Sequence, residues 1–159
     1  MSICYIVHSH SGNTKGIAER CKAIVGGDLV EVKDKASYNM LTLYIIGGRR
    51  ATKGERDPID PAVIDVSGYD GIVVGTPVWG RMPTPATNAA VDALKGCEEK
   101  KAVVYATCGG MAGETVSVLS KALEGRGARV QGGVVFTRRD LADQAKLQEL
   151  VGLIRTISG

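Results

Sequence analysis

The 159 residues are 44% hydrophobic, enough for one well-filled core and too few for two domains of ordinary size, so a single domain over residues 1–159 is expected. A formal net charge of +3 is too small to argue for nucleic acid, and no apolar run approaches membrane-spanning length, so neither nucleic-acid binding nor membrane insertion is expected. The four cysteines, Cys4, Cys21, Cys97 and Cys108, form no C-x-x-C pair and the only histidines are His8 and His10, which argues against zinc and dithiol chemistry.

The chain opens in an apolar run, Ile3 to Val7, with no basic region or cleavage site of a secretory leader, and a cytoplasmic location is expected. A polar loop leads to a helix over Thr14 to Val25, with Ile17, Ala18, Cys21 and Val25 on one face and Lys15, Glu19 and Lys22 elsewhere. Leu29 to Val32 reads as a second strand. From Ser37 to Pro61 the pattern is weaker: Tyr38 to Ile46 reads as a helix packing through Met40, Leu41, Tyr44 and Ile45, with an extra strand as the alternative. Gly47-Gly48, Gly54, Pro58 and Pro61 then suggest an irregular connection. Arg49, Arg50, Lys53 and Arg56 form a basic cluster there with only Glu55 among them, read either as a solvated helix end or as a patch for an acidic partner.

Gly71 to Gly75, Ala102 to Ala106 and Val130 to Phe136 are further strands, and Thr84 to Leu94, Gly113 to Leu123 and Asp140 to Ile157 are helices. The last carries Leu141, Ala145, Leu147, Leu150, Val151 and Ile154 on its apolar side, with Asp140 as N-cap. Runs apolar at almost every position, such as Ile72-Val73-Val74, suit strands covered on both faces. The fold class is therefore α/β, a helix-covered parallel sheet.

In such a sheet ligands sit beyond the carboxyl ends of the strands, where strand order reverses. After the first strand, Ser9, Ser11 and Thr14 offer hydroxyls, Gly12 frees the turn, and the amides at the helix start are unpaired and partly positive. A dianionic phosphate fits there; the plain alternative is that Ser11, Asn13 or Thr14 caps the helix. The loop has neither Walker spacing nor the G-x-G-x-x-G fingerprint. The only Trp of the chain, Trp79, follows the third strand between Pro77 and Gly80, and Thr107-Cys108-Gly109-Gly110 follows the fourth.

Ser9-His10-Ser11-Gly12-Asn13-Thr14, with Ala18 on the following helix, resembles the phosphate-binding loop of the flavodoxin family, departing from its pattern at Val7 and Cys21. Gly75-Thr76-Pro77-Val78-Trp79-Gly80-Arg81-Met82-Pro83 resembles the family's loop with a Trp beside the flavin, and Thr107-Cys108-Gly109-Gly110-Met111 its remaining flavin loop. The resemblance spans the chain. It implies a three-layer α/β/α sandwich with five parallel strands in the order 2-1-3-4-5 and FMN bound non-covalently. Ser9, His10, Ser11, Gly12, Asn13 and Thr14 would hold the phosphate, with His10 acting through its backbone. Thr76, Pro77, Val78, Trp79 and Gly80 would line the ring, with Trp79 stacked on one face. Thr107, Cys108, Gly109 and Gly110 would meet the pyrimidine edge. The peptide at Gly80 would turn on reduction to accept from flavin N5–H and stabilise the semiquinone.

The departures matter to function. Where some carriers have acidic residues beside the ring, this chain has Arg81 and Gly110, so the second electron should enter at a less reducing potential. Met111-Ala112-Gly113-Glu114 has no aromatic to cover the outer ring face, which leaves room for nicotinamide or a quinone. Cys108 reads as a small pocket-lining residue, and no catalytic side chain or metal ligand is assigned. The leading expectation is an FMN electron-transfer protein serving a redox partner, an acidic one given the basic cluster. The alternative is an FMN-dependent NAD(P)H reductase acting on a quinone, flavin or similar acceptor. A flavin-free interaction module of the same fold is the third reading.

Overall fold

The computed structural model describes residues 2–36 and 42–158. The long strands are β1 (Ile3–His8), β2 (Asp28–Asp34), β5 (Gly71–Trp79), β8 (Lys101–Cys108) and β9 (Arg129–Thr137). They run parallel in the spatial order β2-β1-β5-β8-β9, the 2-1-3-4-5 arrangement expected, with Ile6 opposite both Val30 and Val74 and Val74 opposite Val104. Two-residue strands decorate this frame: β3 (Ile59–Asp60) antiparallel to β2, β4 (Ile64–Asp65) beside β7 (Leu94–Lys95), and β6 (Met82–Pro83) folded back on β5.

Side-chain alternation along the strands divides the core into two layers. Cys4, Ile6, Ile72, Val74 and Val104 face α3 (Pro85–Asp92) and α4 (Thr115–Gly125), packing on Ala86, Ala90, Leu119 and Leu123. Ile3, Tyr5, Val7, Val73 and Tyr105 face α1 (Asn13–Val25) and α5 (Gln144–Ile157), packing on Ile17, Cys21, Leu147, Leu150 and Ile154. Strands buried on both faces are what the near-continuous apolar runs require.

Local chemistry sets the helix starts. Thr84 caps α3 by accepting from Thr87 N, with Pro85 in the first turn. Asp143, not Asp140, caps α5, accepting from the amides of Ala145 and Lys146. Asp140 instead closes a short turn, accepting from the amide and the hydroxyl of Thr137, hydrogen bonds that hold its carboxyl below the usual range. Ala145 is exposed rather than on the apolar side.

Three sequence expectations are corrected. β5 does not end at Gly75 but continues through Trp79, so the Trp lies on a strand and not in a loop. Trp79 pairs with Met82 around a tight turn in which Gly80 (φ 58°) and Arg81 (φ 63°) are both left-handed, the twist that closes a two-residue hairpin. Gly47-Gly48 does not break the chain either: a π-helical turn (Leu43–Gly47) runs directly into α2 (Gly48–Thr52). α2 lies against the hairpin, where a Cβ on Gly80 would run into Gly48 O and Thr52 Oγ1. Of the residues expected to pack this segment, Ile45 is 54% exposed, while Met40, Leu41 and the side chain of Tyr44 lie outside the described residues. Among the described residues no helix is long and apolar enough to cross a membrane.

Candidate functional site

The carboxyl ends of β1, β5, β8 and β9 surround a cavity of about 350 Å³, within the size range of small-molecule sites. It is lined by His10, Ser11 and Asn13 from the first loop, Pro77, Val78 and Trp79 from β5, Thr107, Cys108 and Gly109 from the end of β8, and Arg138 and Leu141 beyond β9. The three stretches singled out in the sequence are thus brought together.

In the first loop, Gly12 is left-handed (φ 92°) and directs the chain into α1 with no side-chain cap, so Ser11, Asn13 and Thr14 are not helix caps. Ser9 takes the structural role: its Oγ accepts from Gly12 N at 3.1 Å and more weakly from Lys15 N at 3.4 Å, which leaves its own proton to donate outward. The amides of Asn13 and Thr14 have no intrahelical acceptor and carry the positive end of the helix dipole. Ser11, Gly12 and Asn13 are exposed, as an anion site needs.

Thr14 is buried and ties the loops together. Its Oγ1 lies 2.8 Å from Thr107 Oγ1, and its carbonyl accepts from the hydroxyl of the fully buried Tyr105 at 2.5 Å. The Tyr105 ring fits because Gly75 has no side chain on the neighbouring strand: a Cβ there would lie on the ring. Burial raises the Tyr105 pKa well above the ordinary phenol value, so it remains a donor. Thr76 does not line the cavity. It belongs to a buried row of hydroxyls in which His8 Nδ1 meets Thr84 Oγ1 (2.7 Å), Thr84 meets Thr87 (2.8 Å), Thr87 donates to Thr76 (2.9 Å), and Thr76 donates to Pro77 O (2.7 Å). Each hydroxyl has one proton, so the row is fully satisfied only if the imidazole proton sits on Nδ1. Burial first, and His10 second, lower the His8 pKa to about 4, which keeps the ring neutral.

Trp79 is only 8% exposed. His8 and His10 stand nearly perpendicular to it, at centroid distances of 5.7 and 6.0 Å, and fix the indole at the cavity wall. Gly80 turns away from the cavity toward α2, where Thr52 Oγ1 donates to its carbonyl at 3.2 Å. Gly110 and Arg81 do not line the cavity; the exposed Arg81 guanidinium lies 4.0 Å from Met111 Sδ. The cation at the cavity is Arg138, which sequence reading missed. No motif marks it, and only its place just past a strand end could have singled it out. Burial raises the pKa of Cys108, which accords with a lining role and not a nucleophilic one.

A second cavity of about 370 Å³ lies on the other side of Trp79, bounded by His8, Ser9, His10 and Glu31 to Asp34. Burial, and then a hydrogen bond to Asp57, raise the Asp34 carboxyl pKa well above the ordinary range. Asp57 is itself buried and is paired with the Arg50 guanidinium.

A cavity of this size, with free helix-start amides at one end and an aromatic wall, fits FMN. Comparison with known proteins agrees. The family model of NADPH-dependent FMN reductases matches residues 1–140. Among solved structures, a Bacteroides eggerthii protein described as a flavoprotein superposes with a TM-score of 0.76 at 22% identity, covering 99% of this chain and 98% of its own. A Lactobacillus acidophilus flavoprotein in complex with FMN gives 0.72 at 20% identity, covering 94% and 97%. Two-electron-reduced Megasphaera elsdenii flavodoxin gives 0.57 at 18% identity, covering 95% and 98%. No curated protein matches the sequence. At these identities the superpositions establish the flavodoxin-like fold, and the family model goes further: the chain belongs to the NADPH-dependent FMN reductase family, with FMN as its cofactor.

Proposed function

We propose that the chain acts as a single FMN-binding domain over residues 1–159 that oxidises NAD(P)H and passes two electrons to a quinone, flavin or similar acceptor. In balance, NAD(P)H, a proton and the acceptor give NAD(P)⁺ and the two-electron-reduced acceptor. The observation that carries this reading is the open approach to the cavity. Residues 109–114 contain no aromatic side chain, and Met111, beside the hairpin, is 64% exposed, so a planar donor has access. Family membership supports the same reading.

Bound in the cavity, FMN supplies hydride acceptance and electron release, and the protein supplies position and electrostatics. The amides of Asn13 and Thr14 and the hydroxyls of Ser9 and Ser11 take the phosphate, as helix starts take anions. Trp79 forms the wall for one ring face. Thr107, Cys108 and Gly109 would meet the polar edge, and Arg138 would add positive charge to the site, favouring the reduced cofactor.

The test is anaerobic mixing of the FMN-loaded protein with NADPH and with NADH. Rapid loss of the oxidised-flavin absorbance is expected. A spectrum unchanged over minutes with both nucleotides would return the chain to the electron-carrier reading.

A further inference from the structure

The basic cluster of residues 49–56 is divided in two by its neighbours. Arg50 turns inward, paired with Glu55 at 2.6 Å and with the buried Asp57, and donates to Arg56 O at 2.9 Å. Arg56 pairs with Asp92 and donates to Gly54 O at 2.9 Å. Among the described residues no carboxylate pairs with Arg49 or Lys53. Both are exposed, and both line a shallow cavity of about 360 Å³ with Gly48, Thr52 and Gly80.

Two like charges one helical turn apart repel each other; Glu55, which borders a neighbouring cavity with both, is engaged by Arg50, so an anion between them would relieve the repulsion. The floor of the cavity is backbone: a Cβ added at Gly48 would meet only Gly80 N, at 3.9 Å, so a bulky polar group can approach closely. Thr52 lines the same cavity, its hydroxyl proton shared by Gly48 O and Gly80 O. Its position is the telling feature, because Gly80 follows directly on Trp79, which lines the FMN cavity. Gly80 thus separates this cavity from the wall of the FMN cavity, and a ligand anchored here by its charged end would extend past the hairpin to reach the flavin.

We propose that Arg49 and Lys53 bind the phosphates of the reduced pyridine nucleotide. This rests on the reductase reading above and names the residues that would hold its donor. Guanidinium and ammonium suit phosphate as fork and point charge respectively. The phosphate could be the 2′-phosphate of NADPH or the pyrophosphate shared with NADH, and the two are separable.

The experiment uses FMN-loaded protein carrying Arg49→Ala and Lys53→Ala together, with Lys121→Ala, an exposed cation on α4, as the charge control. KM for NADPH should rise by about tenfold or more, the loss of at least one charge-assisted contact. The maximal rate at saturating nucleotide and the affinity for FMN should be retained, and the control should leave KM unchanged. A rise confined to NADPH assigns the 2′-phosphate, and an equal rise with NADH assigns the pyrophosphate. Calorimetric titration of the FMN-loaded protein with adenosine 2′,5′-bisphosphate gives a readout independent of turnover: binding should be seen in the wild type and weakened in the double variant. If the wild type oxidises NADPH and the double variant changes neither KM nor this binding, the proposal is overturned, and the two cations are left to an acidic protein partner. If the wild type oxidises neither nucleotide, the reductase reading fails, while the titration still decides whether these residues take phosphate.

Discussion

On one flank of the β5–β6 hairpin the structure is held by neutral, buried hydrogen bonds; on the other it is held by ions. The cavity flank has Tyr105 donating to Thr14 O, the Thr14–Thr107 hydroxyl pair, and the row from His8 to Pro77. The α2 flank has Arg50 bridging Glu55 and Asp57, with the Asp34 carboxyl beside Asp57, and Arg49 and Lys53 facing solvent. Neutral networks in a low-dielectric interior keep their geometry across salt and pH, whereas ion pairs respond to both. The difference suits the arrangement proposed above, a cofactor that stays on one side and a charged substrate that exchanges on the other.

The largest effect should come from breaking the neutral flank. In Gly75→Ala the new Cβ would lie on the buried Tyr105 ring, and neither strand can move without disturbing the sheet. A loss of about 3 kcal/mol or more is expected from overpacking, read as a lowered urea midpoint, with FMN affinity falling in parallel because Tyr105 positions Thr14. Unchanged FMN affinity in a destabilised variant would mean that this flank is a scaffold only.

The pH dependence sharpens the contrast, because a group of the neutral hydrogen-bond row and a group of the ionic cluster act in opposite senses. His8 has its pKa lowered from the ordinary 6.5 to about 4. The unfolded chain therefore takes up its proton first, and stability falls by about 3 kcal/mol as pH drops from 6.5 to 4. Asp34 has its pKa raised, so the folded chain holds the proton longer, and stability falls as pH rises above the ordinary carboxylate range. In the wild type the two slopes offset each other. Urea midpoints measured from pH 4 to 7 should show a steeper acid loss in Asp34→Asn. They should decline with rising pH in His8→Asn, where an amide keeps a donor toward Thr84.

Removing the ion at the centre of the α2 flank should cost less. Arg50→Met leaves Asp57 buried beside Asp34 without its guanidinium, a penalty of about 2 kcal/mol at pH 7 once the partial exposure of Arg50 is allowed for. The loss should shrink at pH 5, where a proton on the carboxyl pair replaces the missing charge; a loss independent of pH would show that Arg50 acts by packing alone.

These two flanks were not equally legible in the sequence. The cavity flank rests on local signals: apolar runs of strand length, a glycine before a helix, small polar residues at strand ends. Those placed β1, β5 and β8 and gathered His10, Ser11, Asn13, Pro77 to Trp79 and Thr107 to Gly109 at one edge. The α2 flank rests on pairings between distant positions. Asp34 ends β2 and Asp57 lies in an irregular connection, and no local pattern announces that they meet under Arg50. Arg138 was missed for the same reason, since its role comes from where β9 ends. Nothing local marks Trp79 as a strand residue, because its strand is extended by pairing with Met82 across a turn that uses Arg81, a residue type seldom left-handed. Asp140 and Asp143 are equally good caps by residue type, and only the hydrogen bonds to Thr137 settle which one starts α5.

The smallest of these effects tests whether the flanks are separable at all. Gly80 joins them: it follows Trp79 on the cavity side, and its carbonyl accepts from Thr52 on the α2 side. Gly80→Ala incurs about 1 kcal/mol for a Cβ at φ 58°. The Cβ would also contact Thr52 Oγ1 and Gly48 O, so one side has to give. Trp79 is buried and held between two imidazoles, whereas α2 is five residues long with an exposed outer surface. The displacement should therefore fall on α2. Hydrogen exchange should quicken in residues 48–52 and stay unchanged at Asn13 to Lys15, with FMN affinity preserved. Equal loss of protection on both sides would show that the hairpin transmits strain and that the two flanks are one mechanical unit.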